Sequence, residues 1–461
     1  MTRADLLIIG AGPGGYETAI EAVQAGLTTV LVEAREVGGT CLNEGCIPTK
    51  CLCRDAERLS EVSHLTDLGL PPMEASPDFA RIAARKDSVV AALRSGVETM
   101  LKHPNLTLMR GTARFAAAHT VEVALNEKNE SDETTETIEA TNVIIATGSV
   151  TKFLPIEGAH LPGVLTSTDL LALDHVPRRL CIVGGGVIGM EFASVFSAFG
   201  SQVTVLEFCR EILPNFDSDV AKRLRTALKQ RGIDIVTQAR VERISPSGEG
   251  ELTVGYTLKE REKAVTADRV LMAVGRGPNL TSLNLDDVGI AYTKRGIETD
   301  ESLQTNIEGV YAIGDINGRC QLAHAATFQG RRALNHILGR TDGIRLDIMP
   351  AAVFTAPEAA SVGLTLEEAQ AQGIEAAVGK AFFRANGKAL AMGQSEGLVK
   401  LVATSDGRLL GCHILGPHAA DLVQEVAALM RLNGTVKDLS ETIHAHPTLG
   451  EVVLEAARRL G

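Results

Sequence analysis

One pattern of apolar, small and acidic positions occurs twice along this chain of 461 residues. In the first copy the apolar segment Asp5–Ile9 runs into Gly10-Ala11-Gly12-Pro13-Gly14-Gly15, a helical stretch follows, and the segment Thr29–Val32 stops at Glu33. In the second, Leu180–Val183 runs into Gly184-Gly185-Gly186-Val187-Ile188-Gly189, a helix passes through Glu191-Phe192-Ala193, and Val203–Leu206 stops at Glu207. The acid lies 23 residues after the first glycine and 18 after the third in both copies. Each copy therefore predicts a strand, a tight turn, a helix and a second, parallel strand. Further apolar runs, Val143–Gly148, Val270–Arg276 and Val310–Asp315, fit buried strands that end in small residues, where a ligand can approach the backbone. The Glu- and Thr-rich stretch from Asn126 to Thr137 reads as a solvated hairpin or loop. Beyond Ile348 the pattern changes to short alternating segments, Ala352–Thr355 and Leu398–Val402, with helices near Ala419–Leu432 and Leu449–Leu460. The expectation is α/β: two Rossmann-like dinucleotide domains followed by a C-terminal α+β domain.

Each glycine in such a turn has a separate duty. The first makes the turn, the second lets a pyrophosphate approach the backbone, the third packs helix on strand, and the acid binds ribose hydroxyls. Two copies imply two dinucleotides. An acid at the end of the second strand disfavours a 2′-phosphate, so Glu207 favours NAD over NADP, although Arg210 is close by.

Composition narrows the class. Asp and Glu number 57 against 45 Lys and Arg, a formal charge of −12, and no basic arm appears, which argues against nucleic acid. No apolar stretch approaches the roughly 20 residues needed to cross a bilayer. The N-terminal residues feed the first glycine turn directly, so the reading is a soluble cytoplasmic protein. Eight cysteines are too few for a secreted scaffold of this length, and most are scattered; Cys51 and Cys53 read as small packed side chains. Cys41 and Cys46 differ, because they sit close behind the first glycine turn in Gly39-Thr40-Cys41-Leu42-Asn43-Glu44-Gly45-Cys46-Ile47-Pro48-Thr49-Lys50. In a reducing compartment such a pair is a redox pair rather than a staple. Five residues of regular helix rise about 7.5 Å, beyond the roughly 7 Å that a disulfide spans. The helix must therefore be broken or just starting, and Gly45 and Pro48 make that possible. No second cysteine or histidine pair has zinc-like spacing near it, so no metal is expected.

Together with Ala146-Thr147-Gly148, Gly314-Asp315, Leu322-Ala323-His324 and the closing His444-Ala445-His446-Pro447-Thr448-Leu449-Gly450-Glu451, this run resembles the flavoprotein (pyridine nucleotide) disulfide reductases along essentially the whole chain. Within that family it is most similar to the branch that reoxidises dihydrolipoyl groups. The resemblance implies an FAD domain from residues 1–150 and 272–345, an NAD domain inserted at 151–271, and a dimerisation domain from 346–461. FAD would be held by Gly10, Gly12, Gly15, Glu33, Lys50, the backbone near Ala113, Ala146, Thr147, Gly148, Asp315, Gln321, Leu322, Ala323 and His324. NAD would meet Gly184, Gly186, Gly189, Glu191, Glu207, Val241 and Gly275. Lys50 and Glu191 match the charged pair that the family sets beside flavin and nicotinamide.

The implied chemistry is oxidation of a protein-bound dihydrolipoyl dithiol. His446, oriented by Glu451, would deprotonate the substrate thiol, Cys41 would exchange with it, and Cys46 would face the flavin, with electrons leaving as hydride to NAD⁺. His444 reads as structural. The family brings the histidine from a partner subunit, so a homodimer follows, and the substrate group would be carried by a 2-oxo acid dehydrogenase or glycine-cleavage protein. Three positions depart from the family: Glu44 replaces an apolar residue, Ala113 a frequent glycine, and Gln321 the usual methionine. A carboxylate at 44 is expected to oppose a thiolate beside it. Glutathione-type reductases carry arginines where Glu207 stands, mercuric reductases end in a cysteine pair that Ala457–Gly461 lacks, and soluble transhydrogenases lack the redox cysteines. Other readings are a reductase of another disulfide, or a docking subunit of a lipoyl-bearing complex.

Overall fold

The computed structural model describes residues 1–71, 77–126, 134–248 and 250–460. Two compact units divide the chain: Met1–Cys51 with Ala83–Lys152 and Arg276–Leu346, and Leu52–Ile82 with Phe153–Gly275 and Asp347–Gly461. The second unit takes in both the region expected to meet NAD and the region expected to dimerise.

In the first unit five strands run parallel in the order Leu106–Ala117, Thr29–Glu33, Thr2–Ile9, Thr135–Ile145, Val310–Ala312. Leu6, Leu7, Ile8 and Ile9 are all buried, as a central parallel strand covered on both faces requires. The strand order reverses at Thr2–Ile9, the topological switch point at which open α/β sheets bind ligands. Thr120–Leu125 pairs antiparallel with both Leu106–Ala117 and Thr135–Ile145. It forms a hairpin with Thr135–Ile145 about the expected acidic loop, whose residues 127–133 lie outside the described ones. Helix Pro13–Gln24 buries Gly14, Gly15, Thr18, Ala19 and Ala22, a small-residue stripe at helical spacing. Against it lies helix Ala323–Ile337, so near that a Cβ on Gly330 would fall 1.9 Å from Thr18 Oγ1.

The second unit holds a parallel sheet ordered Asp234–Thr237, Gln202–Glu207, Arg179–Val183, Arg269–Met272, Val164–Leu165. An antiparallel sheet, Ala351–Val353, Glu358–Gly363, Leu409–Gly416, Leu398–Thr404, Ala376–Phe382, carries helices Ala419–Arg431 and Glu451–Arg458. The α/β class with a C-terminal α+β portion is thus as the pattern predicts. Two strands are shorter than their apolar runs, because Gly275 (φ +104°) turns the chain after Met272 and a 3₁₀ turn, Gly314–Asn317, begins after Ala312.

One polar cluster inside the second unit has no counterpart in the sequence pattern. Lys400 Nζ, on a side chain only 3% exposed, lies 2.7 Å from Asp217 Oδ2 and 3.1 Å from Asp219 Oδ2, and Lys380 Nζ is 2.7 Å from the same Asp219 oxygen. Asp217 also caps helix Ser218–Gln230 by accepting from the N–H groups of Asp219 and Val220. Burial pushes the Lys400 ammonium down in pKa, yet its two carboxylates outweigh this and the net direction is up. Asp219 is held at about 2, chiefly by its bond to Lys380.

Lys400→Met is expected to cost about 3 kcal/mol of unfolding free energy, because it strands the buried Asp217 carboxylate. Chemical denaturation measures it. A depressed carboxylate stabilises above its unfolded pKa, so wild-type stability should decline as pH falls from 3.8 toward about 2. That decline should be smaller in the variant.

Candidate active site and dinucleotide cradles

The first glycine turn lies at the carboxyl end of the first parallel sheet. Gly10 has φ +105°, and a Cβ there would stand 2.4 Å from the Ala146 carbonyl oxygen. A Cβ on Gly15 would stand 1.9 Å from the Gly10 carbonyl oxygen, whereas one on Gly12 would meet nothing within 4 Å. Tight packing at two glycines and open space at the middle one is the shape a pyrophosphate needs. Glu33 Oε2 accepts from Ala11 N–H at 2.7 Å and Oε1 from Arg35 N–H at 2.8 Å. Its carboxylate is therefore a fixed rim to the cradle.

Other expected residues gather at the same end of the sheet. Ala146–Gly148 follow the strand Thr135–Ile145, and Gly148 has φ +72° with open space beside it. Asp315 opens the turn after Val310–Ala312 and accepts from Ser149 Oγ at 2.5 Å; burial raises its pKa. Leu322 precedes helix Ala323–Ile337, which carries His324, and Gln321 Nε2 donates to the Arg276 carbonyl at 3.3 Å. Ala113 is three residues past Arg110, the partner of Glu33, and its side chain is buried in the apolar core, so only its main chain can face a ligand.

The second cradle repeats the first within its own unit. Gly184 has φ +112°, with its Cβ position 2.3 Å from the Ala273 carbonyl oxygen; the Cβ position of Gly189 is 2.0 Å from the Gly184 carbonyl oxygen, and Gly186 again faces open space. Glu207 Oε2 accepts from Gly185 N–H at 2.5 Å and Oε1 from Cys209 N–H at 2.6 Å. Gly275 (φ +104°) has open space too. Glu191 is buried, and its Oε1 accepts from Phe354 N–H at 2.9 Å. Val241 is buried in the core formed with Leu206 and Tyr256. Lys50 and Glu191 fall in different units.

Between Gly39 and Glu44 the chain forms a short helix, and Gly45 breaks it at φ −144°, ψ −107°. A new helix, Cys46–Ser63, starts at once. A Cβ on Gly45 would lie 2.9 Å from the Thr40 carbonyl oxygen, and one on Gly39 would lie 2.7 Å from Gly12 Cα. Gly38 N–H donates to the Ala11 carbonyl at 2.7 Å. The short helix therefore sits directly on the first glycine turn. A hydrogen bond to Cys46 is the main reason that the Cys41 pKa is pushed up; burial and the charge on Cys46 add to it, while Lys50 opposes it. Tyr16 is pushed to about 12, first by burial and then by Glu17, with a smaller contribution from Cys41. Cys51 is buried and Cys53 half-buried.

His446 Nδ1 lies 2.9 Å from Glu451 Oε1, and Glu451 Oε2 accepts from Thr448 N–H at 2.8 Å. That main-chain bond, then the one with His446, lowers the Glu451 pKa. The His446 side chain is 80% exposed. His444 contrasts with it: 8% exposed, with Nε2 3.0 Å from Glu425 Oε1 and Nδ1 3.0 Å from the Thr442 carbonyl.

Sequence reasoning passed over Arg276. Its Nε donates to Ser149 Oγ at 2.7 Å and a terminal nitrogen to the Ser149 carbonyl at 2.6 Å. Burial lowers its pKa, against the opposing charges of Asp315, Glu44 and Cys46. A charge ending the apolar run Val270–Arg276 was the available signal. Among the described residues no group of three or more His, Cys, Asp or Glu side chains is gathered to hold a metal ion. No helix among them is long and apolar enough to cross a membrane.

Residues 4–330 match the model of the pyridine nucleotide-disulphide oxidoreductases, and residues 349–457 that of their dimerisation domain. The chain belongs to the pyridine nucleotide-disulphide oxidoreductase family. It is 40% identical to the dihydrolipoyl dehydrogenase of Chlamydia muridarum (strain MoPn / Nigg), over 98% of this chain and 96% of that one. With the dihydrolipoyl dehydrogenase of Geobacillus stearothermophilus it shares 39% identity, over 99% and 96%. Among solved structures, a Cu(II) complex of the HOCl-induced flavoprotein disulfide reductase RclA from Escherichia coli aligns with TM-score 0.87 and 32% identity, over 99% of both chains. The family uses FAD and NAD(H), and the two cradles fit two such dinucleotides.

Because Gly12 and Gly186 have ordinary φ values, −68° and −75°, and open space around them, Ala at either should leave the fold intact. If the first cradle holds the flavin, Gly12→Ala loses it, read from the visible spectrum of the purified protein. If the second holds the nicotinamide dinucleotide, Gly186→Ala keeps flavin and raises KM for that dinucleotide about tenfold or more, since a methyl group would displace the phosphate from the helix N-terminus.

Proposed function

We propose that this protein oxidises a protein-bound dihydrolipoyl dithiol at the Cys41–Cys46 pair, with NAD⁺ as the final acceptor, and that it works as a homodimer. The observation that carries this reading is the thiol pair held across the Gly45 break on top of the first cradle. Full-length identity of about 40% to dihydrolipoyl dehydrogenases supports it.

In the oxidised enzyme a substrate thiol loses its proton to His446 Nε2 and, as a thiolate, attacks Cys41 Sγ; the Cys41–Cys46 bond breaks, and Cys46 leaves as a thiolate. The second substrate thiol then attacks its neighbouring sulfur, its proton passing to the departing Cys41. That step closes the lipoyl disulfide and releases Cys41, and the enzyme dithiol holds the electron pair. FAD held in the first cradle would supply the redox chemistry that carries that pair on to NAD⁺. Glu451 fixes His446 by accepting from Nδ1, which leaves Nε2 as the base and stabilises the imidazolium that forms. By the family pattern, Cys41 is the exchanging thiol and Cys46 the one that faces the flavin.

The first cradle, Glu33, Lys50, the main chain at Ala113, Ala146–Gly148, Asp315 and the 321–324 segment form the FAD site in this reading. The second cradle, with Glu191, Glu207, Val241 and Gly275, forms the NAD site. Glu207 has both oxygens tied to main-chain N–H groups, so its charge stays where a 2′-phosphate would have to sit. Residues 1–150 and 272–345 are assigned to FAD, 151–271 to NAD and 346–461 to dimerisation. The exposure of His446 fits a base that completes the site of a partner copy. The lipoyl group would belong to a 2-oxo acid dehydrogenase or glycine-cleavage protein in the cytoplasm.

Turnover with dihydrolipoamide and NAD⁺ should exceed that with glutathione disulfide and NADPH at least about a hundredfold. Cys41→Ser should abolish it, and His446→Gln should lower kcat about a hundredfold to ten-thousandfold, the usual range for a lost general base. Preference for glutathione disulfide, or a His446→Gln enzyme of near-normal rate, would contradict the assignment.

A further inference from the structure

Glu44 ends the helix that starts at Gly39, one residue before the break and two before Cys46. A bare carboxylate there would oppose a Cys46 thiolate. It is not bare. Glu44 Oε1 lies 2.5 Å from a guanidinium nitrogen of Arg35, on a side chain only 18% exposed. Arg35 belongs to the loop that leaves the first cradle two residues after Glu33. Its N–H donates to Glu33 Oε1 at 2.8 Å and its carbonyl accepts from Arg110 at 2.7 Å. The loop is thus tied down at its main chain while the Arg35 side chain reaches the redox helix. Asn43, beside Glu44, ties the same helix to the same loop: its Nδ2 donates to the Val37 and Gly39 carbonyls, both at 2.9 Å, and its Oδ1 accepts from Arg94.

We propose that the Arg35–Glu44 ion pair is a positioning device for the redox cysteines. It fastens the end of their helix to the loop carrying Glu33, and it keeps the Glu44 charge from opposing a thiolate two residues away. This rests on reading Cys41 and Cys46 as the working dithiol. The other charged or titratable groups near the redox helix include Lys50 on the helix Cys46–Ser63, Tyr16 and Glu17 on the helix Pro13–Gln24, Arg94 on the helix Phe79–Met100, and Arg276 on the strand Arg276–Pro278, with Asp315 beyond Arg276. Glu36 shares the loop with Arg35 but faces Arg94 and Arg110, so the contribution of Arg35 can be removed separately.

Arg35 is 68% exposed and screened by solvent, which limits the expected effect to about half to one pH unit. The test is the pH dependence of iodoacetamide alkylation of the reduced protein, with the modified cysteine identified by peptide mass. Arg35→Gln removes the ion-pair partner of Glu44 and should raise the midpoint for first alkylation of the Cys41/Cys46 pair by that amount, about a three- to tenfold slower reaction at neutral pH. Glu44→Gln should sit at or below the wild-type midpoint, Arg35→Lys close to it, and the double variant Arg35→Gln/Glu44→Gln should return to within about 0.3 unit of wild type. An unchanged midpoint in Arg35→Gln, or a double variant as slow as Arg35→Gln, would overturn the proposal. Added salt should shrink the Arg35→Gln shift, and a shift indifferent to salt would also count against it. Alkylation requires neither flavin nor turnover, so failure of the lipoyl assay with this pattern intact would reject the functional reading alone.

Discussion

The close approach of Gly39 to Gly12 is the constraint on which the first unit turns. A single Cβ at position 39 would fall 2.7 Å from Gly12 Cα, so the redox helix can lie on the dinucleotide turn only because position 39 is glycine. From that seat the helix runs one and a half turns to Gly45, where it breaks and restarts. A continuous helix would hold the two cysteines too far apart to bridge. The break brings them into hydrogen-bond contact, and the seat sets them beside the cradle. Reactivity at the pair is then a consequence of backbone geometry before it is a consequence of any charge.

The two cradles show how one local solution serves twice. Each acid accepts from the N–H inside its glycine turn and from the N–H two residues beyond itself, Ala11 and Arg35 for Glu33, Gly185 and Cys209 for Glu207. Charge-assisted bonds of this kind fix the carboxylate through main-chain donors. The negative rim is therefore preorganised in both.

Legibility in the sequence followed the range of the interaction. The glycine turns were readable because each glycine answers a local steric demand, and the helix break was readable at Gly45. Pro48 contributes nothing to that break, since it is the third residue of the new helix, where a missing N–H has no partner to lose. The His446–Glu451 contact was readable from its short spacing and the resemblance it carries. What escaped was long-range. Arg276 meets Ser149 across 127 residues, Lys400 meets Asp217 across 183, and Glu191 receives the Phe354 N–H across 163. Periodicity and motif spacing carry no information about such pairs. Glu44 is the instructive middle case: its chemistry was visible, but its partner Arg35, nine residues back around a turn, was not.

The central claim is that Cys46 delivers charge to a flavin held in the first cradle. Anaerobic titration of the purified protein with a two-electron reductant tests it most directly. A long-wavelength thiolate-to-flavin absorbance band should rise to its maximum near one equivalent and be absent from Cys46→Ser. A protein purified without flavin, or a Cys46→Ser variant that keeps the band, would contradict the account.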